Sequence, residues 1–188
     1  MNRLAKAAIL VRLGQALKRS GSWCGHTHYQ KAVFFMQSVL RVPLEFPYVL
    51  YMYGPYSFDL RMEMEALEAD GLLECRPTLP YGSVILPTDA GVRLAECFPK
   101  TIARYERELA STARVVGGKT VSELEKFITA VYIREKVGPT VSPTEVAQKL
   151  HNVKPHIPLE DAMKVVRESD EIVAREVAGI ATSSSGEE

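Results

Sequence analysis

Ser57-Phe58-Asp59-Leu60-Arg61-Met62-Glu63-Met64-Glu65-Ala66-Leu67-Glu68-Ala69-Asp70-Gly71, running straight into Leu72-Leu73-Glu74-Cys75-Arg76-Pro77-Thr78-Leu79, is the stretch on which the fold turns. Ser57 is placed to cap a helix, because its hydroxyl can accept from a free backbone N–H of the first turn. Leu60, Met64 and Leu67 share one face of that helix, and Asp70-Gly71 ends it with glycine in the C′ position. Residues 72–79 and 84–86 then read as two short strands joined by a tight turn at Pro80-Tyr81-Gly82-Ser83.

Upstream, residues 4–18 predict a first helix, with Leu4, Ala8 and Val11 on one face and Leu10, Leu13 and Leu17 beside them. Thr27 with Gln30 predicts a capping box opening a second helix, along which Tyr29, Val33, Met36 and Leu40 repeat until Pro43. Residues 46–53 are bulky, β-branched or aromatic and predict an extended segment broken by Gly54-Pro55. Thr88, followed by Asp89, caps the helix after the hairpin. Helix, helix, helix, hairpin, helix is the order of a winged helix-turn-helix with added elements. The fold class read from the sequence is therefore mainly α with a small β-hairpin: a winged-helix-like module followed by a C-terminal helical extension.

Residues 101–116 predict a single charged helix with Ile102, Tyr105 and Leu109 inward, and Gly117-Gly118-Lys119 predicts a hinge. Beyond it, Ser122 with Glu125 predicts one helix start. Ser142-Pro143-Thr144-Glu145 predicts another, with cap, N1 proline and N3 glutamate in register. Pro158-Leu159-Glu160 opens a third helix, with Ala162, Val165, Val166, Ile172 and Val173 as its apolar stripe. The domain reading is 1–116 for the winged-helix-like unit and 120–180 for an extension that packs on it or forms a homodimer. Residues 181–188 are read as a disordered tail.

The chain has 188 residues, 23 acidic and 23 basic, so no global field draws it toward nucleic acid or an anionic membrane. Its apolar runs, such as 7–11 and 32–36, fall far short of the ~20 residues a bilayer span needs. The basic start resembles a signal peptide until Arg12 interrupts it and Lys18-Arg19 stand where a cleavage site would lie. Three cysteines without a CxxC pair predict no disulfide framework and fit a reducing cytoplasm.

Cys24, His26 and His28 crowd one five-residue stretch, whereas a zinc site draws ligands from separated positions, so no metal site and no cofactor are expected. GxSxG, GxxxxGK[ST] and GxGxxG are all missing, and no catalytic residue is assigned. The most unusual local feature is Tyr51-Met52-Tyr53-Gly54-Pro55-Tyr56-Ser57-Phe58-Asp59-Leu60. Aromatics around a Gly-Pro turn suit a protein contact, each tyrosine giving apolar area with one hydroxyl handle. Tyr53, Gly54, Pro55, Tyr56, Ser57, Asp59 and Glu63 are thus the candidate partner-binding residues. The competing reading packs those rings against the second helix.

In a winged helix the segment 58–70 would enter the major groove, yet it carries Asp59, Glu63, Glu65, Glu68 and Asp70 against Arg61 alone. Phosphates repel such a helix, and the usual base-reading side chains are missing from it. The basic residues lie in the first helix instead: Arg3, Lys6, Arg12, Lys18 and Arg19. They form a candidate basic face for a DNA-binding regulator of nonstandard docking mode, or a solvated face that pairs with the chain's own acids.

Thr27-His28-Tyr29-Gln30-Lys31-Ala32-Val33-Phe34-Phe35, Tyr53-Gly54-Pro55-Tyr56-Ser57-Phe58-Asp59-Leu60 and residues 67–73 together resemble the YwgA-like bacterial family, as does Lys154-Pro155-His156 ahead of an acidic helix start. More distantly the pattern is similar to the Panacea (SocA-like antitoxin) domains, which share the helix followed by a Tyr-Gly-Pro turn. Tyr29 stands where leucine is expected. The YwgA-like group brings no activity with it. The Panacea likeness implies protein–protein contact, with a toxin or a protease as partner. The expectation is a non-catalytic, regulatory or antitoxin-like interaction module that does not engage membranes.

Overall fold

The computed structural model describes residues 1–78 and 82–184. Within them the chain is mainly helical, with two small antiparallel two-stranded sheets. The expected turn at Pro80-Tyr81 lies outside the described residues, while Gly82 and Ser83 begin a strand.

Helix α1 (Arg3–Arg19) runs through the centre, Asn2 capping it by accepting from the Ala5 N–H at 2.8 Å. It is buried on nearly every side, from Ala7 to Val11 and again at Leu13, Gly14, Ala16 and Leu17, whereas Leu4 is exposed. A single apolar stripe is therefore too narrow a description, because α4 (Asp89–Glu96), α6 (Glu106–Val116) and strand β4 (Gly82–Pro87) all pack around α1. At Gly91 of α4 a Cβ would overlap the Leu72 carbonyl oxygen and crowd Val11, so only glycine allows α4 to approach this closely.

Helix α2 (His26–Phe34) continues into a π-helical turn at Phe35–Val39, and Arg41 follows with a positive φ of 60°. The expected Thr27–Gln30 capping box is corrected: Gly25 is the N-cap, without a side-chain cap. Gln30 turns inward, its Oε1 accepting from the Ser57 N–H at 2.8 Å and its Nε2 donating to the Ser57 carbonyl at 2.9 Å. Gln37 treats Phe46 in the same way, both bonds at 2.8 Å. Each side-chain amide thus stands in for a strand neighbour and satisfies both backbone groups of one residue on the returning chain.

Strands β1 (Val49–Tyr51) and β2 (Gly54–Tyr56) form a hairpin, so Gly54-Pro55 pairs back along the extended segment where the sequence predicted only a break. Helix α3 (Phe58–Ala69) follows, with Ser57 as its cap and Gly71 at φ 69° beyond it, both as expected. Strands β3 (Leu73–Thr78) and β4 form the second hairpin, and Thr88 caps α4. The helix expected over 101–116 divides at Tyr105 into α5 (Pro99–Arg104) and α6. Ile102, Tyr105 and Leu109 do point inward.

Helix α7 (Val121–Val137) begins at a Thr120–Glu123 capping box, which corrects the expected Ser122–Glu125 start. Leu124, Phe127, Ile128 and Val131 of α7 belong to the same core as α1 and α2. The segment after 120 therefore packs on the first hundred residues. Helix α8 (Pro143–Val153) has the expected Ser142–Glu145 box. With α9 (Leu159–Ser184) and α7 it encloses a second core of Ala130, Ile133, Val146, Ala147, Leu150, Ile157, Ala162 and Val166. Helix α9 reaches Ser184, so 181–184 are helical and not the start of a disordered tail; 185–188 lie outside the described residues. Glu176 ties α9 back to α6 through Arg114 and through the Ser111 hydroxyl, which donates to it at 2.7 Å.

Replacing Gly91 by alanine should lower stability by ~1–3 kcal/mol, the range for forcing a methyl group into filled space. Chemical denaturation of the variant beside the unmodified chain measures it, and an unchanged midpoint would contradict the close packing of α4 on Leu72.

Candidate functional site

The sequence places aromatic residues on both sides of Gly54-Pro55, and folding gathers them into one surface. Tyr51 lies 5.6 Å from Tyr56 and 5.8 Å from Phe58 between ring centroids, and Tyr56 lies 5.1 Å from Phe58. Tyr56 and Phe58 meet edge to face, a favoured ring geometry. Val49, Tyr51, Met52, Tyr53, Phe58 and Met62 are all exposed, Met52 and Met62 at 65% and 68%. These six and Tyr56 make a patch across the β1–β2 hairpin and the first turns of α3. Large apolar side chains grouped in this way on a surface make a candidate contact site.

Beneath the patch the support is polar and buried. Lys31 of α2 is 1% exposed, and its Nζ donates to the Pro55 carbonyl at 2.7 Å. Lys154, just past α8, donates to the Met52 carbonyl and pairs with Glu125 of α7 at 2.8 Å. His156 Nε2 lies 3.7 Å from the same carboxylate. Burial pushes the Lys31 ammonium down to about 7, helped by the neighbouring Lys154 charge and opposed by Glu125. Gly54 completes the seat: its φ of 84° favours glycine, and a Cβ there would overlap Thr129 Oγ1 on α7.

The sequence-predicted partner residues divide into two groups. Tyr53 and Asp59 are exposed and Tyr56 half-buried, all three at the surface, whereas Gly54, Pro55 and Ser57 are buried and hold the hairpin in place. Glu63 accepts from Arg3 Nε at 3.0 Å. Phe58 and Met62 complete the patch and went unassigned, although their i, i+4 spacing marks one outward face of α3. Lys31 and Lys154 were also missed. Lys31 stands alone as a charge in an apolar run, the one sequence signal of its burial.

The expected basic face is not continuous. Arg3 bonds Glu63 and Asp70, each at 3.0 Å, Lys6 pairs with Glu45 at 3.0 Å, and Arg12 donates to Gln15 at 2.9 Å. Lys18 and Arg19 remain exposed at the far end of α1. His28 donates through Nε2 to the Lys119 carbonyl at 3.0 Å, so it fixes the 117–119 turn. A separate cavity of about 680 Å³ opens between α7, α8, α9 and the π-helical turn. Its Arg134 and Asp170 engage each other at 2.9 and 2.5 Å, which leaves Val39, Val131, Val173 and Val177 as the main apolar wall.

No helix among the described residues is long and apolar enough to cross a membrane. No protein-family model, curated protein or solved structure matches this chain.

The buried Lys31 sets a pH dependence with a definite sign. Its folded pKa is below the ordinary 10.5, so between about 7 and 10.5 the unfolded chain binds the extra proton and stability rises with pH. The penalty is fully present below about 7 and relieved above it. Relative to Lys31→Met, the unmodified chain should gain stability from pH 7 to 9, at no more than about 1.4 kcal/mol per pH unit. Denaturant midpoints of the two chains across that range test this, and parallel curves would place the proton elsewhere.

Proposed function

We propose that this chain is a non-catalytic protein-interaction module of winged-helix type, working as a regulator or an antitoxin-like adaptor. The observation that carries it is the chemistry of the outward face of α3 together with the β1–β2 hairpin. Where a DNA reader would present free arginine, lysine, asparagine or glutamine, this face presents Phe58 and Met62 with Asp59, its one arginine, Arg61, being paired with Glu65 at 2.5 Å, and it is continuous with Tyr51, Met52 and Tyr53. Aromatic and methionine side chains that form an apolar centre with an acidic edge suit a protein partner carrying an apolar pocket and a basic rim.

The winged-helix reading draws support from the order α1, α2, α3, β3–β4 and from the exposure of Phe58 and Met62 on α3. A toxin or a protease as partner rests on the resemblance of the Tyr-Gly-Pro turn alone. The competing reading, a DNA-binding regulator using Arg3, Lys6, Arg12, Lys18 and Arg19, loses support because Arg3 and Lys6 face carboxylates of the same chain. A neutralised arginine releases no counterion from DNA.

Affinity capture from the native host's lysate, with Tyr56→Ala and Asp59→Lys as paired variants, tests the proposal. The unmodified chain should retain a partner that both variants lose, with helicity unchanged. A partner that survives both substitutions would place the interface elsewhere. Nanomolar, salt-dependent retardation of duplex DNA in a mobility-shift assay would favour the competing reading.

A further inference from the structure

Three metal-ligating side chains from separate elements converge on the side of α3 that faces the β3–β4 hairpin. His26 opens α2, Glu68 stands in the last turn of α3 and Cys75 lies in β3. A ring nitrogen, a carboxylate oxygen and the Sγ fall within 4.8 Å of one another. The backbone fixes this meeting. Ile85 of β4 donates to the Cys24 carbonyl at 2.8 Å, and Ile85 is the residue paired with Cys75 across the hairpin. The segment entering His26 is thereby tied to the strand register that places Cys75. On the third side, Leu72 N–H donates to the Leu67 carbonyl at 2.8 Å, closing α3 next to Glu68.

Two of these side chains are unsatisfied. His26 Nδ1 and Glu68 Oε1 are both buried atoms without a hydrogen-bond partner. Leaving such atoms unmatched costs on the order of 1–3 kcal/mol each, so their coexistence at one point calls for a shared partner. The donor set of one sulfur, one imidazole nitrogen and one carboxylate oxygen is that of a borderline-soft divalent ion. A thiolate and a carboxylate together balance two positive charges.

We propose that His26, Glu68 and Cys75 bind a single divalent cation of the zinc class, with water in the fourth position. Bonds of about 2.0–2.3 Å in tetrahedral array put donor atoms roughly 3.2–3.8 Å apart, so side-chain rotation by about an ångström completes the site. The ion ties the start of α2, the end of α3 and β3 together. His26 thus finds its companions far along the chain and not in its sequence neighbours Cys24 and His28, which bond to the Ser22 and Lys119 carbonyls.

Cobalt(II) titration of the metal-free full-length chain tests the site, because a cobalt–thiolate bond gives its own charge-transfer absorption. One equivalent should produce that band with tetrahedral visible absorption. Cys75→Ser should abolish the band, Cys24→Ser and Cys97→Ser should keep it, and His26→Ala or Glu68→Gln should weaken binding at least about tenfold. Zinc(II) added to the unmodified chain should slow iodoacetamide alkylation of Cys75 and leave Cys97 unaffected, read by peptide mass spectrometry. That second measurement does not depend on any variant folding. Absence of the band, its survival in Cys75→Ser, or equal Cys75 alkylation with and without zinc would overturn the assignment.

Discussion

Two lysine ammonium groups lie beneath the β1–β2 hairpin, and the geometry of the exposed aromatic patch depends on them. A hairpin of three residues per strand cannot hold itself together in water. Here Lys31 grips the Pro55 carbonyl from α2 and Lys154 grips the Met52 carbonyl from beyond α8, while Gln30 satisfies both backbone groups of Ser57 at the entry to α3. Burying two ammonium groups is costly, and one carboxylate, Glu125, supplies compensating charge, pairing with Lys154 at 2.8 Å and favouring the charged form of Lys31 from nearby. Uniform apolar packing would seat the hairpin in many registers. Directed donors to particular carbonyls seat it in one, and so keep Tyr51, Tyr56 and Phe58 in mutual contact at the surface.

This arrangement also explains why the C-terminal helices are more than an appendage. The residues that hold the hairpin come from both ends of the chain: Lys31 and Gln30 from α2, Glu125 and Thr129 from α7, and Lys154 from the end of α8. Gly54 lies against Thr129 with no room for a side chain, so any displacement of α7 moves the turn. Helix α9 closes the loop by joining α6 through Glu176 and α7 through the Arg134–Asp170 pair. The shape of the patch is therefore set in part by a residue more than a hundred positions further along the sequence, Lys154 on the Met52 carbonyl.

Local signals were legible where the residues act on their own neighbours, and failed where a distant partner claimed them. The Ser142–Glu145 box, the Ser57 and Thr88 caps and Gly71 appear as the sequence predicts, each completing its task within a few residues. Thr27–Gln30 satisfies the same pattern, yet Gln30 is taken by Ser57, 27 residues away. Glu125 likewise abandons a cap with Ser122 for Lys154, and the helix starts two residues earlier at Thr120–Glu123. The aromatic cluster around Gly54-Pro55 could be seen in the sequence because its members are adjacent. Its foundation could not, since nothing local distinguishes Lys154 from an ordinary solvated lysine, and only the apolar run around Lys31 hints at burial.

On the proposed reading, charge sign would separate what attracts a partner from what holds it. On α3, Glu63 and Asp70 already engage Arg3, so part of the acidity read from the sequence is neutralised within the chain. Asp59 is exposed at the start of the helix beside the aromatic patch, and Glu65 pairs with Arg61 one turn further on. An unpaired exposed charge such as Asp59 acts over roughly 8 Å at physiological ionic strength, and on the proposed reading it would guide approach and disfavour phosphate backbones. The apolar centre, from Met52 through Phe58 to Met62, supplies a contact that salt does not screen. On the proposed reading, a surface with this division would bind through its rings and discriminate through its carboxylates. The partner that reading calls for is a protein that joins an apolar pocket to a basic margin, and not a polyanion.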